Sequence, residues 1–305
     1  MGCLGDFNFE LGGILDECRK YIKLGKVANY IPELAKVDPD KLGIYLIGKD
    51  EEHFAGDYDV DFTMQSIVKP LILLLALKDS GVEKVRNLVG VEATGKPFDT
   101  FNYTDLALKS EHINPMINAG AIALCTLIKG ESYNDKTNRL VDFTRKLAKN
   151  DSLEIDSAVY LSEKATGNKN RALAYMLNAY KMIDVNVDDV LDCYFSACSI
   201  KVKCKDLANI AFALSHCEQN EMISEEDSRF VNAILSTCGM YDGSGEFALN
   251  VGIPAKSGVG GGIMAVVPGR MGIGVYSPAL DKKGNSIAGK MVLESVSKKL
   301  RLSIF

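Results

Sequence analysis

Thr63-Met64-Gln65-Ser66-Ile67-Val68-Lys69-Pro70 decides how this chain is read, because it sets a hydroxyl and an amine three residues apart. Three residues is close to one helical turn, so Ser66 and Lys69 share a face if the segment is helical. The apolar run Leu71-Ile72-Leu73-Leu74-Leu75-Ala76-Leu77 follows directly, and the pattern predicts a helix over 66–79. Ser66 then lies near a helix N-terminus, where partly positive backbone N–H groups favour a developing oxyanion. Lys69 lies beside apolar neighbours, and desolvation lowers a lysine pKa toward the range of a base. A serine with a neutral lysine beside it is an acyl-transfer nucleophile. Pro70 cannot donate to the carbonyl of Ser66, so it tightens or distorts the helix start at the pair.

The spacing alone is weak. Ser295-Val296-Ser297-Lys298 also matches, and roughly one or two chance matches are expected in a chain this rich in Ser and Lys. Context separates them: Ser295–Lys298 falls on a charged, solvent-facing final helix, whereas Ser66–Lys69 opens the most apolar one.

On the N-terminal side, Leu15 to Leu24 reads as an amphipathic helix ending at Gly25, and Leu42 to Ile47 with His53-Phe54-Ala55 as a β-hairpin around Asp50-Glu51-Glu52. From Ser66 the signals turn helical, with candidates at 66–79, 114–128, 135–149, 151–162, 169–183, 186–196, 204–217 and 224–236. Strands return at Gly258 to Val267 and Met271 to Tyr276, separated by Pro268-Gly269, and a closing helix spans about 286–300. The expected fold is mixed α and β, an antiparallel sheet built from both chain ends and flanked by helices, with an inserted all-helical subdomain. The subdomains fall at about 1–65 plus 240–305 (sheet) and 66–239 (helical), within one domain of 305 residues.

Composition narrows the functional classes. A net charge of -5 argues against nucleic acid as a partner. No apolar stretch approaches the roughly 18–20 residues of a membrane span, and Met1 to Glu10 has no signal-peptide core. Eight cysteines occur without a Cys-x-x-Cys pair, which fits free thiols in the cytoplasm. His53, His112 and His216 have no metal-ligand spacing, no Gly-x-Ser-x-Gly elbow supports a triad, and they read as surface or capping residues. Gly269 to Gly274, Gly-Arg-Met-Gly-Ile-Gly, has the wrong spacing for a dinucleotide fingerprint. No cofactor or metal is implied.

Pro254-Ala255-Lys256-Ser257-Gly258-Val259-Gly260-Gly261-Gly262 supplies the second half of a site. It is not a phosphate loop, because the lysine precedes the glycines. Lys-Ser-Gly is a form of the strand that faces the Ser-x-x-Lys helix in penicillin-recognising acyl-transfer enzymes. The glycines let substrate approach, the Val259 N–H faces an oxyanion, and Lys256 sets a like charge near Lys69.

With Gly25-Lys26-Val27-Ala28-Asn29-Tyr30-Ile31-Pro32, Asn114-Pro115-Met116-Ile117-Asn118-Ala119-Gly120-Ala121, Ser162-Glu163, Asn170, and Cys238-Gly239-Met240-Tyr241-Asp242, the chain resembles the serine-dependent glutaminases of β-lactamase-like fold. The matches run from about residue 21 to the C-terminus in the family's order. The resemblance implies hydrolysis of L-glutamine to L-glutamate and ammonia through a γ-glutamyl ester on Ser66, with Lys69 as general base. It implies an oxyanion hole of the Ser66 and Val259 N–H groups. Tyr30, Gln65, Tyr194 and Tyr241 would line the site, and Tyr194 and Tyr241 are candidates for proton transfer to ammonia. Glu163 would meet the α-ammonium, and Asn118 and Asn170 the α-carboxylate side; Lys256 would support the site. Family members are usually homodimers or homotetramers.

Two departures stand out. Gly260 replaces a small side chain, which would loosen the strand edge, and the loop after Glu163 reads Lys-Ala-Thr-Gly-Asn-Lys. The chain carries neither extension of the animal relatives, so phosphate activation and filament formation are not expected. A β-lactam-recognising hydrolase and an idle binding protein are the competing readings. The missing export signal weighs against the first, and the intact serine and lysines against the second.

Overall fold

The structure is a computed structural model, and it describes residues 7–95, 113–219 and 221–305. Among these residues five strands, β1 (Gly43–Gly48), β2 (Glu52–Gly56), β5 (Ala255–Ser257), β6 (Gly262–Val267) and β7 (Met271–Tyr276), form an antiparallel sheet ordered β2-β1-β7-β6-β5. A small ribbon pairs β3 (Phe62–Thr63) with β4 (Lys201–Val202). The sheet is therefore assembled from both chain ends, as the strand candidates at 42–47, 258–267 and 271–276 predict.

Period-two alternation gives the sheet two apolar faces. Ile44, Leu46, Ile263, Ala265, Ile273 and Val275 face α1 (Phe7–Arg19) and the closing helix α11 (Ile287–Leu300). Tyr45, Ile47, Met264, Val266 and Tyr276 join the larger cluster that runs into the helices. Among the described residues the α-helices between β3 and β5 are α2 (Lys69–Leu88), α3 (Asn118–Cys125), α4 (Tyr133–Ala148), α5 (Ser157–Thr166), α6 (Asn168–Ala179), α7 (Val187–Cys198), α8 (Cys204–Ser215), α9 (Glu225–Cys238) and α10 (Ser244–Asn250). Helix α8, from within the 66–239 stretch, lies directly on β7. A Cβ on Gly272 would stand 2.1 Å from the Ala208 carbonyl oxygen, and one on Gly274 would stand 2.1 Å from that of Cys204. These glycines of the Gly269–Gly274 run thus serve a helix-on-sheet contact.

Several expected boundaries move. Helix α1 starts at Phe7, ahead of Leu15, because burial of Leu11 and Leu15 one turn apart offsets the cost of Gly12 and Gly13. Helix α5 starts at Ser157 and not at 151, since Asp156 caps it by accepting from the N–H groups of Ala158 and Val159. The 114–128 helix shortens to α3, and α10 was not expected. The 258–267 strand shortens to β6, preceded by a turn at 258–261. His53 and His216 are buried rather than surface residues, and His216 stacks on Phe212; His112 lies outside the described residues.

Candidate active site

The Ser66 segment is not the start of an ordinary α-helix. Gln65–Val68 is a turn of 3₁₀-helix that passes into α2 at Lys69, whose backbone N–H donates to the Ser66 carbonyl, and Pro70 sits in the first turn of α2. Gln65 is held at φ 49°, in the left-handed region. Among the described non-glycine residues, four others have positive φ: Lys149, Lys181 and Arg301 near helix ends, and Tyr241. Two of these five unfavoured conformations therefore bracket the serine, the kind of local strain that surrounding packing must impose.

Lys69 is fully buried, and its Nζ donates to the Met116 carbonyl at 3.1 Å and to Asn118 Oδ1 at 2.7 Å. Asn118, the first residue of α3, also accepts from the Tyr194 hydroxyl at 3.3 Å and donates through Nδ2 to Asn170 Oδ1 at 2.8 Å. One amide thus joins the lysine on α2 to Asn170 on α6 and Tyr194 on α7. Glu163, buried on α5, has its carboxyl pushed up to about 7 by desolvation, against the opposing pull of a Gln65 hydrogen bond and the Lys69 charge. Burial also raises the Tyr194 and Tyr241 phenols, and the Tyr241 hydroxyl faces Ser66.

Lys256 enters from β5, also fully buried. Its Nζ donates to the carbonyls of Gly239 at 3.1 Å and Ser257 at 2.6 Å and lies 4.4 Å from the centre of the Tyr241 ring. Burial first, and the Lys69 charge second, push its amine well below the ordinary lysine range. The following turn presses on the serine segment. A Cβ on Gly258 would meet the Met64 carbonyl oxygen at 2.6 Å, and one on Gly260 would meet that of Thr63 at 2.6 Å. Gly260 therefore does not loosen an edge; it is the absence of a side chain there that lets the two segments touch. The Val259 N–H takes no part in the backbone hydrogen bonds of this turn.

A cavity of about 350 Å³ opens here, lined by Tyr30, Gln65, Ser66, Asn118, Glu163, Asn170 and Tyr194. Tyr241 and Val259 pack beside it in an apolar cluster with Ala28, Ile31 and Leu280, and Lys69 and Lys256 lie beneath. Every site residue expected from the sequence is thus brought to one region. Reading the sequence missed Thr166 to Lys169 at the cavity rim, and Cys198, which lies one helical turn after Tyr194 on α7; that i, i+4 spacing was the available signal. Among the described residues no cluster of three His, Cys, Asp or Glu side chains could hold a metal, and no helix is long and apolar enough to cross a membrane.

The family model described as Glutaminase matches residues 25–305. The chain belongs to the glutaminase family. It is 51% identical to a glutaminase of Clostridioides difficile over 96% of each chain, and 50% identical to a glutaminase of Clostridium tetani over 97% of this chain and 99% of the relative. Among solved structures, the covalent complex between the Bacillus subtilis glutaminase YbgJ and 5-oxo-L-norleucine, formed by reaction with 6-diazo-5-oxo-L-norleucine, superposes with a TM-score of 0.88. It is 35% identical, over 97% of this chain and 99% of that one. The fold is thus the β-lactamase-like fold of bacterial glutaminases, and the protein is an L-glutamine amidohydrolase.

Proposed function

We propose that this glutaminase works through a γ-glutamyl ester on Ser66. Lys69, fully buried one turn on, takes the serine proton, and the Ser66 oxygen attacks the side-chain carboxamide carbon. The N–H groups of Ser66 and Val259 hold the oxyanion. Tyr241, facing Ser66, and Tyr194, hydrogen-bonded to Asn118, relay the proton to departing ammonia; water then hydrolyses the ester. Glu163 receives the α-ammonium beside Gln65, Asn118 and Asn170 hold the α-carboxylate side, and Tyr30 closes the rim. Lys256 anchors Tyr241 and the Val259 turn. The observation that carries the reading is the hydrogen bond from Lys69 to Asn118, because it joins the proposed base to the substrate-binding end of the cavity.

A relative reacts covalently with 6-diazo-5-oxo-L-norleucine, and the same reagent is the test. Peptide mass spectrometry is expected to find the adduct on Ser66; an adduct elsewhere sinks the assignment. We further propose a single catalytic domain working in the cytoplasm as a homodimer or homotetramer. The seven described cysteines are all free, as a reducing compartment favours. Light scattering at micromolar concentration is expected to give two or four times the chain mass, and a monomer would refute the assembly.

A further inference from the structure

A second groove of about 580 Å³ lies on the other side of Tyr30, with Val259, Ala28 and Leu280 along it and Lys26, Lys282 and Lys283 at its edge. Its floor is the same buried cluster that packs Val259 against Tyr241. Tyr30, 54% exposed, belongs to both cavities and is the wall between them. In the acyl-enzyme reading, an acyl group on Ser66 with its amino-acid end toward Glu163 occupies the first cavity. The substituent on the scissile nitrogen then has the groove beside Val259 to occupy.

The charges around the groove indicate what kind of substituent fits. Its acid Asp281 is already engaged, receiving Lys290 Nζ at 2.5 Å and the backbone N–H groups of Lys283 and Asn285, and Lys283 pairs with Glu246 at 3.6 Å. Among the described residues Lys26 and Lys282 are exposed and have no ion-pair partner. Exposed Asp242 is the acid that remains. An apolar floor beside the scissile bond, with two uncommitted ammonium groups at its edge, suits a small side chain and a carboxylate.

We propose that this groove is a leaving-group subsite for an α-amino acid, so that the enzyme also hydrolyses γ-glutamyl dipeptides. The inference rests on the acyl-enzyme reading. Ser66 attacks the γ-carbonyl, the C–N bond breaks, and the amino acid leaves as a free amine carrying the proton taken from serine. Water then hydrolyses the same γ-glutamyl ester that glutamine forms. No oxidant, reductant or further co-reactant is required.

The test offers γ-L-glutamyl-L-alanine and L-glutamine separately to the native protein and to Lys26→Glu and Lys282→Glu, with alanine or ammonia release as the readout. Both lysines are exposed and outside the catalytic machinery. The expected result is dipeptide hydrolysis whose kcat/KM falls about tenfold in each variant, as the loss of one charge-assisted contact would cause, while glutamine turnover stays within about twofold. No alanine release, or release insensitive to both substitutions, overturns the subsite. Acid quenching separates the two readings. A γ-glutamyl adduct on Ser66 from glutamine but none from the dipeptide defeats the subsite alone. If neither substrate leaves an adduct and 6-diazo-5-oxo-L-norleucine does not label Ser66, the acyl-enzyme reading and the subsite fall together.

Discussion

Lys69 and Lys298 each stand three residues after a serine on a helix, and their surroundings differ in every respect that matters to chemistry. Lys69 has no exposed surface and donates to Met116 and Asn118. The Lys298 side chain is 68% exposed and pairs with Glu294 at 2.5 Å. Ser66 lies in a 3₁₀ turn against a cavity, whereas Ser295 lies in the middle of α11 with its hydroxyl toward Cys18. The motif is a spacing. Reactivity comes from desolvation and from the partners that a distant segment supplies.

Parallel substitutions in the two tetrads have unequal expected effects. Ser66→Ala or Lys69→Met is expected to lower kcat by at least about a thousandfold, because the proposed nucleophile and base would act as a unit. Ser295→Ala and Lys298→Met should leave ammonia release within about twofold; equal losses in the two tetrads would end the comparison.

Glu163→Gln comes next in size. Losing one charged hydrogen bond to the α-ammonium should raise KM by about 10–100-fold with a smaller change in kcat. Its pH dependence has a definite sign. Burial raises the Glu163 carboxyl to about 7, so the carboxylate that the ammonium needs is lost as pH falls through about 7. KM should climb below that point toward tenfold per unit, and the limb should vanish in Glu163→Gln. A wild-type KM that is flat from about pH 5 to about pH 8 would remove Glu163 from the ammonium site.

Smaller effects test the packing. Gly260→Ala drives a methyl into the Thr63 carbonyl and should cost about 1–3 kcal/mol of stability, with a lower Tm and a fall in kcat as Val259 shifts. Gly245→Ala, where nothing lies within 4 Å of the added methyl, should be neutral or slightly stabilising. Smallest of all, Lys298→Ala removes an exposed i, i+4 pair worth about 0.3–0.5 kcal/mol; thermal melts of these variants together give the ranking.

The comparison also explains what could be read in advance. Apolar β-prone runs near both chain ends and the Leu71–Leu77 run made the sheet and the central helix legible, and the candidate site residues came through resemblance in motif order. What sequence could not give are features imposed from outside a segment. Glutamine and tyrosine have no preference for positive φ, so nothing at Gln65 or Tyr241 announces their backbone conformations. Gly260 looks like a loosening residue until Thr63, far away in the chain, is placed against it. The start of α5 depended on a cap at Asp156 inside a stretch with helical composition. Resemblance named Glu163 as a partner for the α-ammonium, but its burial, which raises its carboxyl, follows only from the fold.

The contact between the Gly258–Gly260 turn and the Thr63–Ile67 segment also has a consequence for the order in which activity can appear during synthesis. The proposed nucleophile and base, Ser66 and Lys69, are translated early, whereas Lys256 lies on β5 and Val259 in the turn after it, close to the C-terminus. A chain released before β5 is expected to have Ser66 and Lys69 yet release no ammonia, so glutamine in the surrounding fluid meets no half-built hydrolase. Assaying such a truncated chain alone and after adding residues 251–305 in trans would show whether docking of this turn switches the enzyme on.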